Sequence, residues 1–454
     1  MGKQNLSQYE KMTRTPILPL LLKLSAPTII SMLITNIYNL ADTAFVGQLG
    51  NSASGAVGVV FGFMSIIQAV GFMFGQGSGS IISRSLGEQD TDNASKTAST
   101  GFVSVLFFGI IISVCGFLFL DPLVKFLGST DTIAPYAKTY ISYILAAAPF
   151  MTATFFLNNI LRYEGKAALG MVGMMSGAVL NIGGDAVFMF GFKMGIAGAG
   201  LSTAISQTIS FIVLLSMFLM GKTQSKISLR NMSFSFILSL NIMATGFPSL
   251  LRQGLNSVTT MLLNSQASVY GDEAVAAMSI VSRIAFFVTS VALGIGQGFQ
   301  PISGFNYGAK KYDRLRQAYR LTLGISEVVV AFAAIVVAIF SNDLIGIFRD
   351  DQTVIEIGTR ALRLQCIAII FLPIGMATEM MFQSTGKRIG AAILSSLRNG
   401  LFFIPALLIL PKFRGLYGIE EAQPIAIILA FFPALFFMLS FFKKLPAGDA
   451  EPDS

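Results

Sequence analysis

About 20 consecutive apolar residues suffice to carry a helix across a lipid bilayer. This 454-residue chain contains twelve such runs, at 16–47, 52–82, 95–120, 134–160, 167–190, 196–220, 233–268, 274–303, 317–341, 354–383, 389–410 and 422–442. No polar linker divides them into soluble domains. Hydrophobic residues make up 54% of the chain and charged residues only 12%. A soluble protein could not hide that much apolar surface, because every domain leaves much of its own exposed. The expected fold is therefore an all-α membrane protein with twelve transmembrane helices.

The same composition excludes several functions. The net charge of +8 is spread through short connections, not gathered on one face as a nucleic-acid surface requires. Histidine is absent, and Cys115 and Cys366 both lie inside apolar runs, so neither a resident metal nor a disulfide framework is expected. Gly221-Lys222-Thr223 resembles the end of a phosphate-binding loop. Ser216 occupies the place of the required glycine, however, and the segment follows an apolar helix where a strand is needed. With no nucleotide-binding segment and no cofactor expected, energy for any uphill transport has to come from an ion gradient, with H⁺ or Na⁺ as the coupling ion, or from a partner chain. The first apolar run is too long for a signal peptide and lacks a small-residue cleavage site.

Lysine and arginine in the connections set the expected orientation. With the N-terminus inside, the inner connections carry 19 and the outer ones 6, which places both termini in the cytoplasm. A shift of 221 residues superposes landmarks without gaps: Pro27 on Pro248, Gly50 on Gly271, Gly75-Gln76-Gly77 on Gly296-Gln297-Gly298, and Gly165-Lys166 on Gly386-Lys387. Each repeat holds six spans, so the two are parallel repeats, and transporters built this way place substrate between their halves. The expected organisation is a cytoplasmic segment 1–15, a six-helix lobe 16–221, a linker 222–232, a second lobe 233–444 and a disordered tail 445–454. Pro27 and Pro248 each remove a helical hydrogen bond at the same repeat position; they are either hinges or static kinks.

Ionisable groups at membrane depth are costly and point to function. Asp42 lies in the first span and Asp185 in the fifth. Tyr38 precedes Asp42 by four residues, and Asn181 precedes Asp185 by four, which puts each pair on one helix face. The fourth span ends in Asn158-Asn159, and the sixth carries Thr203 and Gln207. If these faces converge, they form an oxygen-rich pocket. It suits a proton shared between carboxylates or a hard cation such as Na⁺, which Asp42, Asn181, Asp185 and Thr203 would hold. The alternative is hydrogen bonding that merely ties helices together. The repeat offset puts Leu263 and Ala406 opposite the two aspartates, so a cation site belongs to the first half. The second half offers Glu379, with Arg252, Arg283 and Arg398 as candidate partners. Glu379 and Arg252 form either a buried ion pair or a second site for cationic substrate or protons.

With these residues in view, the chain resembles the MATE (multidrug and toxic compound extrusion) family from about Pro16 to Lys444. The most specific stretches are Asn39-Leu40-Ala41-Asp42-Thr43-Ala44-Phe45-Val46-Gly47, Gly296-Gln297-Gly298-Phe299-Gln300-Pro301 and Gly304-Phe305-Asn306-Tyr307-Gly308-Ala309. The resemblance implies two pseudo-symmetric six-helix lobes forming a V-shaped cleft, in a bacterial cytoplasmic (inner) membrane. The aspartate in the first span with the Asn181/Asp185 pair looks like the DinF-like branch, which implies a cation site from Asp42, Asn181, Asp185 and Thr203, joined by Tyr38 and Asn158. It further implies an antiporter, working as a monomer, that exports cationic amphipathic drugs in exchange for H⁺ or Na⁺. A lipid-linked sugar flippase of the same superfamily is the alternative reading. Nucleic acid is not an expected partner, and no enzymatic chemistry is expected.

Overall fold

A computed structural model describes residues 7–233, 235–446 and 448–449. Among these residues the only regular elements are helices. That is the outcome lipid dictates, because a helix satisfies its own backbone hydrogen bonds. A short helix α1 (Gln8–Arg14) comes first, closed by a capping box in which Glu10 N–H donates to Ser7 Oγ and Ser7 N–H to Glu10. The first repeat runs α2 (Ile17–Gly47), α3 (Asn51–Gly87), α4 (Thr91–Leu118), α5 (Leu120–Phe126), α6 (Ala134–Tyr163), α7 (Ala167–Asp185) and α8 (Ile196–Leu219). The second runs α9 (Phe236–Ser268), α10 (Asp272–Gly308), α11 (Tyr312–Ile339), α12 (Ser341–Phe348), α13 (Gln352–Ile369), α14 (Leu372–Ser384), α15 (Arg388–Ser396), α16 (Phe403–Arg414) and α17 (Leu416–Lys444).

Among the described residues, ten helices are long and apolar enough to cross a membrane, or eleven when α13 and α14, bent by 52°, count as one broken span. The twelfth expected span, 233–268, forms the continuous helix α9 but does not qualify by composition. Asn241, Arg252, Gln253, Asn256 and Asn264 dilute its apolar run.

The chain divides into two compact units, Ile30–Leu250 and a second made of the residues up to Ile29 together with those from Leu251 on. The division does not follow the expected linker at 222–232. It cuts α2 and α9, each two residues after its proline, at positions related by the same 221-residue shift. The beginning of each repeat's first helix therefore packs in the other repeat's unit. Glycines make room for this. Within Ile30–Leu250, Gly77 of α3 abuts the Ile242 carbonyl of α9, and Gly246 of α9 abuts the Met73 carbonyl. In the other unit, Gly298 of α10 lies against Ser25 of α2, whose Oγ donates to the Ile295 carbonyl at 3.4 Å. The Gly-Gln-Gly motifs thus mark two equivalent close helix crossings. A further stripe, Gly71, Gly75 and Gly79, brings α3 onto α6 at Phe155, Asn159 and Tyr163.

The outward faces are apolar, the reverse of a soluble protein. On α11 the exposed stripe is Val328, Phe332, Ile335 and Ile339. The connection between the repeats is strapped down. Glu164, fully buried at the end of α6, accepts from Gln224 N–H (2.8 Å), Ser225 N–H (2.9 Å) and the Ser225 hydroxyl. Burial pushes this carboxyl above its ordinary range, while the three donors pull the other way. Ser95 and Ser99 of α4 bind the backbone of Lys226 and Ser228. The tail expected to be disordered from 445 is held at its start: Arg316 Nη2 donates to the carbonyls of Leu445 (2.9 Å) and Pro446 (2.8 Å), and Asp449 accepts from Asp313 N–H. Residues 447 and 450–454 of that expected tail lie outside the described residues.

Candidate cation site in the first repeat

Four helices of the Ile30–Leu250 unit bring the site together. Asp42 sits near the end of α2, buried to 9% exposure, and Asp185 closes α7 with none. The two carboxyl groups are close neighbours. Directly after Asp185 the helix widens into a π-turn, Ala186–Gly191. Such turns are rare and often found at functional positions. Asn181, one turn before Asp185, donates from Nδ2 to Thr203 Oγ1 of α8 at 3.2 Å. Ser202 Oγ donates to the Asn181 carbonyl at 3.0 Å, which locks α7 against α8.

Tyr140 of α6 completes the cluster. It is fully buried, donates its hydroxyl to Asp42 Oδ2 at 3.4 Å, and neighbours Thr203, Asp185 and Tyr38. Sequence reasoning missed it. Tyr140 lies 98 residues from Asp42, and its only signal was a hydroxyl-bearing ring in a span of a chain without histidine or tryptophan.

The acceptors outnumber the donors. Asp42 Oδ1, both carboxylate oxygens of Asp185, Asn181 Oδ1 and Gln207 Oε1 are buried without a hydrogen-bond partner. Among the described residues no lysine or arginine forms a salt bridge with either aspartate. Buried polar groups are nearly always satisfied, so the four orphan oxygens of Asp42, Asp185 and Asn181 demand a positively charged or proton-donating species; Gln207 lies one turn further along α8, where its carbonyl meets Thr154 of α6. The donor set is all oxygen and matches the needs of a hard cation or a proton. No cluster of three His, Cys, Asp or Glu side chains is found among the described residues.

Asn158 is not part of this cluster. It is half-buried on α6, where its amide meets Gly170 of α7. Eighteen residues of helix separate it from Tyr140, about 27 Å along the axis.

In the second repeat Arg252 Nη1 and Glu379 Oε1 form an ion pair at 2.6 Å, with side chains 9% and 8% exposed. Arg398 is a further neighbour, held by Nε to Asn399 Oδ1 at 3.1 Å. Arg283 is exposed. Glu379 is thus already matched by a cation, unlike Asp42 and Asp185. A cavity of about 30 Å³, enough for roughly one water, lies beside Glu379 and Arg398.

Comparison with known proteins accords with this layout. A family model described as MatE matches the chain twice, over 27–187 and 248–408, each match beginning at one of the paired prolines. The multidrug export protein MepA of Staphylococcus saprophyticus is 28% identical over 459 residues, covering 99% of both chains. MepA of Staphylococcus haemolyticus is 27% identical over 452 residues, again covering 99% of each. Among solved structures, a MATE protein in complex with MaL6 aligns with a TM-score of 0.91 at 26% identity, covering 97% of this chain and 100% of that one. An outward-facing multidrug resistance MATE family transporter of the MOP superfamily aligns with a TM-score of 0.90, at the same identity and coverage.

Proposed function

This chain belongs to the MatE family and is a multi-pass membrane transporter; from that premise we propose that it is a cation-coupled antiporter that expels cationic amphipathic drugs. Two relatives carry the printed name multidrug export protein, which supports drugs as the exported cargo. The observation that carries the coupling is the set of orphan oxygens on Asp42, Asp185 and Asn181. An unpaired carboxylate at membrane depth is costly until a proton or cation neutralises it. The site therefore takes up a positive charge, H⁺ or Na⁺, and Tyr140 and Thr203 orient the carboxylates and amide that receive it. Loading and unloading this charge changes the packing of α2 against α6 and α7.

Pro27 and Pro248 act as the hinges, each two residues before its helix passes from one compact unit to the other. The working orientation has both termini in the cytoplasm of a bacterial inner membrane, and the transporter works as a monomer. Everted vesicles bathed in ethidium test this by dye uptake into the lumen, with an H⁺ or Na⁺ gradient imposed separately. Wild type moves dye under one of the gradients and Asp42→Asn does not. Equal transport by Asp42→Asn, with the protein verified in the membrane, refutes the coupling assignment.

A further inference from the structure

The two repeats differ at one equivalent spot on their periphery. In the first repeat, Lys138 Nζ of α6 meets Asp121 Oδ1 of α5 at 2.5 Å. The 221-residue shift converts Asp121 to Asn342 on α12 and Lys138 to Thr359 on α13. Both charges are gone. At that place α12 and α13 leave a groove of about 500 Å³, lined by Asn342, Glu356, Thr359, Arg360, Arg363, Leu364 and Ile367.

The groove's polar groups are unequally committed. Arg360 is spent on Glu420, through Nε and Nη2 at 2.6 Å each, and lies over the Tyr417 ring at 4.2 Å. Arg363 is exposed and makes one hydrogen bond, from Nε to Ser341 Oγ at 3.0 Å, so its two terminal nitrogens remain for another acceptor. Thr359 Oγ1 is buried without a partner. Glu356 accepts from Gln352 Nε2 at 3.3 Å and faces the charge of Arg360, one turn on, whose hydrogen bonds go to Glu420. The groove therefore offers one cation, Arg363, one anion, Glu356, and an unused hydroxyl.

Its depth follows from α11. The start of that helix holds both chain ends, through Arg314 to the Met12 and Thr15 carbonyls and Arg316 to Leu445 and Pro446. The other end of its 28 residues, about 42 Å away, leads into α12. That distance matches a bilayer including its headgroups, so the groove sits at headgroup depth in the leaflet opposite the termini. From Arg363 toward the membrane interior come Ile367 of α13 and Ile370 just past its end, both exposed and four and seven residues on.

We propose that this groove is a phospholipid site for a zwitterionic, amine-bearing headgroup. Arg363, with Thr359 and Asn342, takes the phosphodiester, for which the guanidinium fork is suited. Glu356 takes the ammonium, and an acyl chain lies along Leu364, Ile367 and Ile370. In the first repeat the Lys138–Asp121 ion pair occupies the equivalent positions.

Native mass spectrometry of the delipidated full chain, titrated with palmitoyl-oleoyl phosphatidylethanolamine, tests the proposal. Wild type keeps one tightly bound lipid. Arg363→Gln weakens it by at least about tenfold, the scale of one charge-assisted hydrogen bond. The double variant Asn342→Asp/Thr359→Lys, which installs the ion pair of the first repeat, weakens it similarly. Thermal melting confirms that both variants are folded, and Arg363→Gln alters only an exposed side chain. Unchanged binding in both variants overturns the proposal. So does equal binding of the same-chain diacylglycerol or phosphatidylglycerol, and so does displacement by millimolar glycerophosphoethanolamine, which lacks acyl chains.

Discussion

Replacing Asp185 by asparagine should abolish gradient-driven efflux and at the same time make the protein more stable. Asp185 has no exposed surface, and neither carboxylate oxygen has a donor. An uncompensated buried charge costs about 3–5 kcal/mol where it has been measured by removing its partner. Asparagine keeps the shape and removes the charge, so up to about that amount is recovered under conditions where the carboxylate is ionised. Where the site is already neutralised by a proton or bound cation, the gain vanishes. The assay is thermal unfolding of purified wild type and Asp185→Asn from acid to alkaline pH, without Na⁺ and with it. The two should converge in acid, and the variant should melt higher in alkali. If Na⁺ is the coupling ion, adding it should raise only the wild type. Parallel dye-efflux measurements should show the variant inactive. A variant that melts lower at every pH, or one that transports normally, refutes the reasoning, since the carboxylate would then be a structural hydrogen-bonding group.

Other outcomes follow from the same geometry. Glu379→Gln should be destabilising by about 3–5 kcal/mol, because it strands the buried Arg252, and the apolar pair Arg252→Met/Glu379→Leu should recover much of the loss in a melting assay. Gly246→Ala drives a methyl into the Met73 carbonyl and should cost about 1–3 kcal/mol or more. Gly254→Ala on the same helix meets nothing within 4 Å and should stabilise by about 0.8–1 kcal/mol. Glu164→Ala leaves the Gln224 and Ser225 amides without their acceptor, so trypsin should cut at Lys222 and Lys226 much faster than in wild type, as followed by gel.

The helical class and the repeat were legible because lipid enforces long apolar runs and because a single 221-residue offset survives in the glycines and prolines. Asp42, Asp185, Asn181 and Thr203 were legible as rare polar groups at helical spacing. Tyr140 was not, since a tyrosine near a span end is an ordinary interfacial residue until the fold turns it toward Asp42. Asn158, expected from its polarity and from the family resemblance, lies 18 residues along α6 from Tyr140 and outside the cluster. The crossing of α2 and α9 between units escaped notice, because hydropathy reads one helix at a time and says nothing about which neighbour each turn meets. The groove at Arg363 was within reach of the sequence, in the loss of the Asp121/Lys138 pair at Asn342 and Thr359, but only the structure shows that those positions pair in the first repeat.

The exchanged half-helices also bear on how the protein is made. The residues that make up the unit Ile30–Leu250 have all been synthesised once residue 250 is added. The opening turns of α2 cannot settle so early. They rest on Gly294 and Gly298 of α10, which are synthesised some 270 residues later, a wait of about 13–54 s at ordinary elongation rates. For that interval the earliest membrane segment has no protein surface to pack on and must be sheltered by lipid or by the insertion machinery. Mutations along Ile17–Ile29 should therefore act on biogenesis as much as on transport.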